Sequence, residues 1–130
     1  MIVDSSALIA IIQKESDYEE LRTKIVTAET LPKMSAANYL EAAIVIDSKY
    51  SATASRDFDT LLIDLDIEII DVTVAQAKIA RAAYGDFGKG SGHKAQLNFG
   101  DCFAYALASE TRDPLLFKGN NFTQTDIAAA

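Results

Sequence analysis

The chain has 130 residues, 49% hydrophobic and 24% charged, which suits one domain (1–130) with a sizeable core. Its 12 basic and 19 acidic side chains give a formal net charge of −7, which excludes broad, nonspecific attachment to nucleic acid through a basic face. The single Cys102 excludes an internal disulfide, and no apolar run reaches the roughly 18 residues needed to cross a membrane.

Ile2-Val3 reads as a buried strand that delivers Asp4 into Ser5-Ser6 and an apolar helix through Leu8, Ile9, Ile11 and Ile12. No basic segment precedes it, so no signal peptide is expected and the cytosol is the expected compartment. Ser16-Asp17 is positioned to cap a second helix through Leu21 and Ile25, and Pro32-Lys33-Met34-Ser35 suggests a short strand. Ala36 to Lys49 is Ala-rich and apolar on one face. A further helix is expected from Arg56 to Leu65, starting from Ser55. The β-branched run Glu68 to Val72 predicts a strand, and Thr73 opens a helix ending near Tyr84. Residues 85–98 read as a flexible Gly/Lys/polar loop, after which Asn98 or Gly100 introduces a helix over Asp101 to Thr111. Asp113-Pro114 ends that helix, and Leu115-Leu116-Phe117 supplies a last strand before the Gly119-Asn120-Asn121 turn. Strand and helix alternate throughout, so the expected fold class is α/β: a mostly parallel central sheet with helices on both faces.

Three carboxylates stand out. Asp4 lies at the carboxyl end of the first strand, where open α/β sheets place their chemistry. On a helix over 36–49, Glu41 shares its face with Ala37, Asn38, Ile44 and Val45, where a carboxylate is costly unless paired or bound to a cation. Asp101 begins a helix beside Ala104, Tyr105 and Ala108. Each also has a purely structural explanation, as a helix cap for Asp4 and Asp101 and as a solvated helix edge for Glu41. Their combination favours convergence at one sheet edge.

Carboxylates without His or Cys partners suit a hard cation, Mg²⁺ or Mn²⁺, which prefers oxygen ligands and keeps several waters. Such an ion activates water and stabilises charge on a leaving oxygen, a toolkit that fits phosphodiester hydrolysis. Paired-histidine chemistry is excluded because His93 is the only histidine. A zinc site lacks a ligand cluster, and no nucleophile elbow accompanies His93. Gly88-Lys89-Gly90-Ser91-Gly92 does not match Walker spacing; Lys89 and Lys94 are either solvated or contacts to substrate phosphates.

Four blocks carry a resemblance: Met1-Ile2-Val3-Asp4-Ser5-Ser6-Ala7-Leu8-Ile9-Ala10, Ser35-Ala36-Ala37-Asn38-Tyr39-Leu40-Glu41-Ala42, Leu97-Asn98-Phe99-Gly100-Asp101-Cys102-Phe103-Ala104-Tyr105-Ala106 and Leu115-Leu116-Phe117-Lys118-Gly119-Asn120-Asn121-Phe122. Together, and in this order, the chain resembles PIN-domain ribonucleases of the VapC toxin type. The resemblance implies a PIN-like fold and a magnesium- or manganese-dependent endoribonuclease with Asp4, Glu41 and Asp101 as its acidic site. It further implies a homodimer inhibited by a VapB-like antitoxin.

One block departs from the family. Many members carry an acid in the turn after the last strand, where this chain has Asn120-Asn121. An asparagine offers a carbonyl oxygen but no charge, so either residue serves as a neutral ligand or as part of a turn. Asp126 is a candidate to compensate, or a cap or surface residue. Asp4 and Asp101 are then assigned to metal coordination and Glu41 to coordination or to orienting the nucleophile, with Lys89, Lys94 and Lys118 as candidate contacts to RNA. Two alternatives remain open: a binding module of the same fold that sequesters RNA or antitoxin without cutting, and a receiver-like phosphotransfer domain, which would need an acceptor Asp where Ser35 stands.

Overall fold

A computed structural model describes residues 1–130. Four short parallel strands, β1 (Ile2–Val3), β2 (Lys33–Ser35), β3 (Glu68–Ile70) and β4 (Leu115–Leu116), stand in the order β3-β2-β1-β4. Ile2 lies opposite Lys33 on one side and Leu115 on the other, and Ser35 lies opposite Ile70. Parallel neighbours cannot be joined by a tight hairpin, so helices fill the crossovers. Helices α1 (Ser5–Ile12) and α2 (Tyr18–Val26) lead from β1 to β2, and α3 (Ala36–Lys49) and α4 (Ala52–Asp64) from β2 to β3. Then α5 (Val74–Phe87) and α6 (Phe99–Thr111) lead to β4.

Side chains alternate across a strand, and here the alternation divides the interior into two cores. Val3, Met34 and Leu116 face Leu8, Leu21, Ile46 and Phe58, so α1 to α4 cover that side. Ile2 and Leu115 face Leu97, Ala104 and Leu107, so α6 covers the other side, with α5 packed through Ala80 and Ala83. Covered on both faces, β1 and β4 read as unbroken apolar pairs, whereas β3 at the sheet edge is largely exposed. The strand order reverses between β1 and β4, and the crevice at such a reversal opens at the carboxyl ends of the strands.

Several local expectations shift. Helix α4 begins at Ala52, a turn before the expected start, and Ser51 caps it by accepting from the Ala54 amide at 3.2 Å. The earlier start brings Ala54 onto the core with Phe58 and Leu61, a helical spacing that adds buried surface. Helix α5 runs on to Phe87, which packs against the second core. Asp17 makes no side-chain cap bond to α2, because its carboxylate pairs with Lys118 across the fold. The 88–97 segment is anchored at its two ends, where Gly88 bridges Leu97 and Ala95 and Leu97 are buried, while Lys89 to Gly92 are exposed. His93 fixes that segment by accepting the Ala95 amide at Nδ1, 3.1 Å away, while its ring meets the Phe87 ring edge-on.

Candidate active site

Asp4 leaves β1 and becomes the N-cap of α1. Its Oδ2 accepts the Ser6 amide at 3.0 Å and the Ser6 hydroxyl at 2.6 Å. The Ser6 Oγ in turn accepts the Lys118 amide at 3.0 Å, which ties the chain just after β4 to the start of α1. Asp4 Oδ1 is buried with no hydrogen-bond partner. Burial pushes this carboxyl up from 3.8 to about 6; the Ser6 bonds oppose the shift, and the Asp101 and Glu41 charges add smaller upward pushes.

Glu41 comes from the second turn of α3, a helix fixed at the end of β2 by the Ser35 cap on the Ala37 amide. Its Oε2 accepts the Ser5 hydroxyl at 2.9 Å and the Asn38 amide nitrogen at 3.3 Å. Asn38 is fully buried and also donates to the Gly100 carbonyl at 3.0 Å, so α3 and α6 are joined at this point.

Asp101 is the third residue of α6 and belongs to a capping box. Its amide donates to Asn98 Oδ1 at 2.8 Å, while its Oδ2 accepts the Asn98 amide at 2.9 Å. The same Oδ2 accepts Nδ2 of Asn121 at 2.9 Å. Burial raises this carboxyl above its ordinary range, the Asn98 and Asn121 bonds oppose that, and the Glu41 charge adds to it.

All three acids therefore follow one pattern. In each, one carboxylate oxygen carries every hydrogen bond the chain provides, and the other accepts none. Asp4, Glu41 and Asp101 line one cleft of about 200 Å³ together with Ser6, Lys118 and Asn121. The carboxylates do not close into a three-ligand cluster. The all-oxygen donor set with an orphaned Asp4 Oδ1 fits Mg²⁺ or Mn²⁺, hard cations that keep several of their own waters. A bound cation would also offset the buried negative charge that raises Asp4 and Asp101.

The other sequence candidates separate. Asn121 lines the cleft, but its amide nitrogen faces Asp101, so it acts as a donor in this arrangement. Asn120 is exposed, and its carbonyl accepts from Thr123. Lys118 lines the cleft, its amide bonded to Ser6, while its ammonium pairs with Glu15 and, at 2.7 Å, with Asp17. Lys89 and Lys94 are exposed and do not line the cleft. Asp126 lies outside the cleft as well and accepts the Tyr105 hydroxyl at 2.6 Å. Ser5, Ser6, Asn38 and Gly100 shape the site without having been singled out from sequence. The two serines directly after Asp4, and Asn38 one turn before Glu41, were the available signals.

A family model described as PIN domain matches residues 1–128. The chain belongs to the PIN-domain family. Curated relatives of this PIN-domain chain place it among the VapC type. It is 48% identical to Ribonuclease VapC28 of Mycobacterium tuberculosis over 130 residues, covering 100% of this chain and 97% of the relative. It is 44% identical to Ribonuclease VapC30 of the same species over 128 residues, covering 98% and 96%. Among solved structures, Mycobacterium tuberculosis VapC20, described as a sarcin-ricin loop cleaving toxin, has the same fold at a TM-score of 0.77 and 11% identity, covering 99% of this chain and 97% of that one. A toxin-antitoxin complex from Klebsiella pneumoniae matches at a TM-score of 0.75 and 14% identity, covering 99% and 95%.

Proposed function

We propose that this PIN-domain chain is the ribonuclease toxin of a toxin-antitoxin pair and hydrolyses RNA phosphodiesters with Mg²⁺ or Mn²⁺ held in the acidic cleft. The observation that carries this reading is the convergence of Asp4, Glu41 and Asp101, from three separate elements, each with one oxygen left free of protein hydrogen bonds. When bound, the ion supplies Lewis-acid stabilisation of phosphate charge and a lowered pKa for water. Asp4 Oδ1 and the free oxygen of Asp101 would hold it. Glu41 Oε1 completes the site or takes a proton from the attacking water, and the Ser5 and Asn38 bonds to Oε2 keep that side chain aimed. Ser6 and Asn98 fix the two aspartates by the same logic, so little reorganisation is needed during reaction.

RNA contact falls to the cleft and its rim, because the net charge is −7 and Lys118 is already paired. The partner organisation of this reading is a homodimer and a VapB-like antitoxin. Its support is an apolar face beside Glu41, where Leu40, Ile44 and Phe99 are 56%, 55% and 78% exposed. No helix is long and apolar enough to cross a membrane, and the proposed compartment is the cytoplasm.

The test is cleavage of a panel of cellular RNAs with end mapping. Wild type with Mg²⁺ or Mn²⁺ is expected to cut at defined sites, and EDTA, Asp4→Asn or Asp101→Asn to abolish cutting. Wild type that binds RNA yet never cuts it with either ion overturns the enzyme in favour of a binding module.

A further inference from the structure

We infer that Gly100 is a positioning residue for Glu41: its missing side chain is the space in which the Glu41 carboxylate lies beside the acidic cleft. A Cβ built on Gly100 would stand 2.3 Å from Glu41 Oε1, 2.6 Å from Oε2 and 2.7 Å from Cδ. Those distances are far inside carbon–oxygen contact, so a methyl group at position 100 and the observed carboxylate cannot coexist. The three nearest atoms all belong to that one carboxylate group.

Backbone conformation does not ask for glycine here. The positive-φ glycines are Gly90, Gly92 and Gly119, while Gly100 lies within α6. In a helix, glycine is a worse choice than alanine, because it loses more backbone freedom on folding. The local cost therefore falls at the position where the side chain of a distant helix needs room.

Glu41 is held by hydrogen bonds as well. Ser5 and Asn38 donate to its Oε2, and Asn38 also donates to the Gly100 carbonyl, so the carboxylate is tied by hydrogen bonds in the place where it lies against the bare Cα of Gly100. The obstacle to a methyl group is the mobile end of a long side chain, not backbone. Gly100→Ala can therefore be accommodated by turning Glu41 away, toward the apolar groove of Leu40, Ile44, Phe99 and Phe103, whose side chains carry no hydrogen-bond donor. Such a substitution leaves the fold standing and takes Glu41 out of the cleft. Stability then changes little, the helix gain offsetting the lost Glu41 bonds, while site function falls.

This inference rests on the metal reading of the cleft, and the experiment separates the two. In the full chain, Gly100→Ala is expected to shift the metal-free Tm by no more than about 4 °C in either direction, because the helix gain of alanine is offset by the Ser5 and Asn38 bonds that Glu41 loses. Mn²⁺ affinity by isothermal titration calorimetry is expected to fall roughly 10- to 100-fold, as for loss of a group that orients a metal ligand. In a Glu41→Ala background the same substitution is expected to change Mn²⁺ affinity by less than about 2-fold, since no carboxylate remains to be displaced. A crystal structure of Gly100→Ala is expected to show Glu41 released from Ser5. Wild-type Mn²⁺ affinity in Gly100→Ala, or an equal loss in both backgrounds, overturns the positioning role. If wild type binds no Mn²⁺ while the crystal structure shows Glu41 displaced, the metal reading fails and the positioning role stands.

Discussion

Asp4 caps a helix with one oxygen and leaves the other buried and bare. The structural and the chemical explanations for this residue thus both apply, on different atoms of the same carboxylate. Its raised pKa has a definite sign. Between 3.8 and about 6 the folded chain holds a proton that the unfolded chain releases, so the metal-free protein gains stability on acidification through that window and loses it as pH rises through about 6. The full penalty, on the order of 3 kcal/mol, is present at pH 7 and above. Asp101 is shifted the same way, whereas Asp17, lowered by Lys118, loses its stabilising contribution only as pH falls below the ordinary range. Thermal melts in EDTA should therefore show Tm rising from pH 7.5 to 5, and Asp4→Asn should raise Tm at pH 7.5 and flatten the profile. With Mn²⁺ present the direction reverses, because protons compete with the ion and its affinity falls below about pH 6. A metal-free Tm that declines steadily over that range, or an Asp4→Asn profile as steep as wild type, refutes this account of Asp4.

The start of α6 joins folding to the site at the level of the element. The Asn98–Asp101 capping box satisfies two helix-end amides and fixes the carboxylate that faces the cleft. Asn98→Ala removes the acceptor for the Asp101 amide, at a cost of about 1 kcal/mol. Urea unfolding should show a lower midpoint with an unchanged slope; an unaltered midpoint would mean that the box contributes nothing. Element boundaries were legible wherever a local signal stood alone. Ser35 and Lys49 bound α3, and Thr73 caps α5, as their residue types suggest. At α4 the expected start at Ser55 gave way to a cap at Ser51, because the earlier start places Ala54 on the core. The 88–97 segment read as flexible because its glycines and lysines dominate by count, yet Ala95 and Leu97 anchor it.

Across the whole molecule, the two faces of the sheet are covered, while a third apolar surface stays open on α3 and α6. Leu40, Ile44 and Phe99 are each more than half exposed there, a concentration that suits a contact with another chain. Under the proposed homodimer, Phe99→Glu should shift the mass measured by light scattering from dimer to monomer with the fold retained by circular dichroism. A variant that stays dimeric shows that this face is not the dimer contact. The acidic cleft lies along the same side through Glu41, which lines both it and the apolar groove.

The sequence by itself determined the alternation of strands and helices, the two-sided parallel sheet, and the three acids at strand end, helix face and helix start. Those signals are local, carried by side-chain period, capping residues and residue type within a turn or two. Only the tertiary structure decided which oxygen of each acid is free, that the Lys118 ammonium is already paired, and that Gly100 makes room for Glu41. These depend on contacts across long stretches of chain, 62 residues between Asn38 and Gly100 and 112 between Ser6 and Lys118. Sheet order and register set such contacts, because parallel crossovers bring the ends of β1, β2 and β4 together, and no local pattern in the chain encodes those distances.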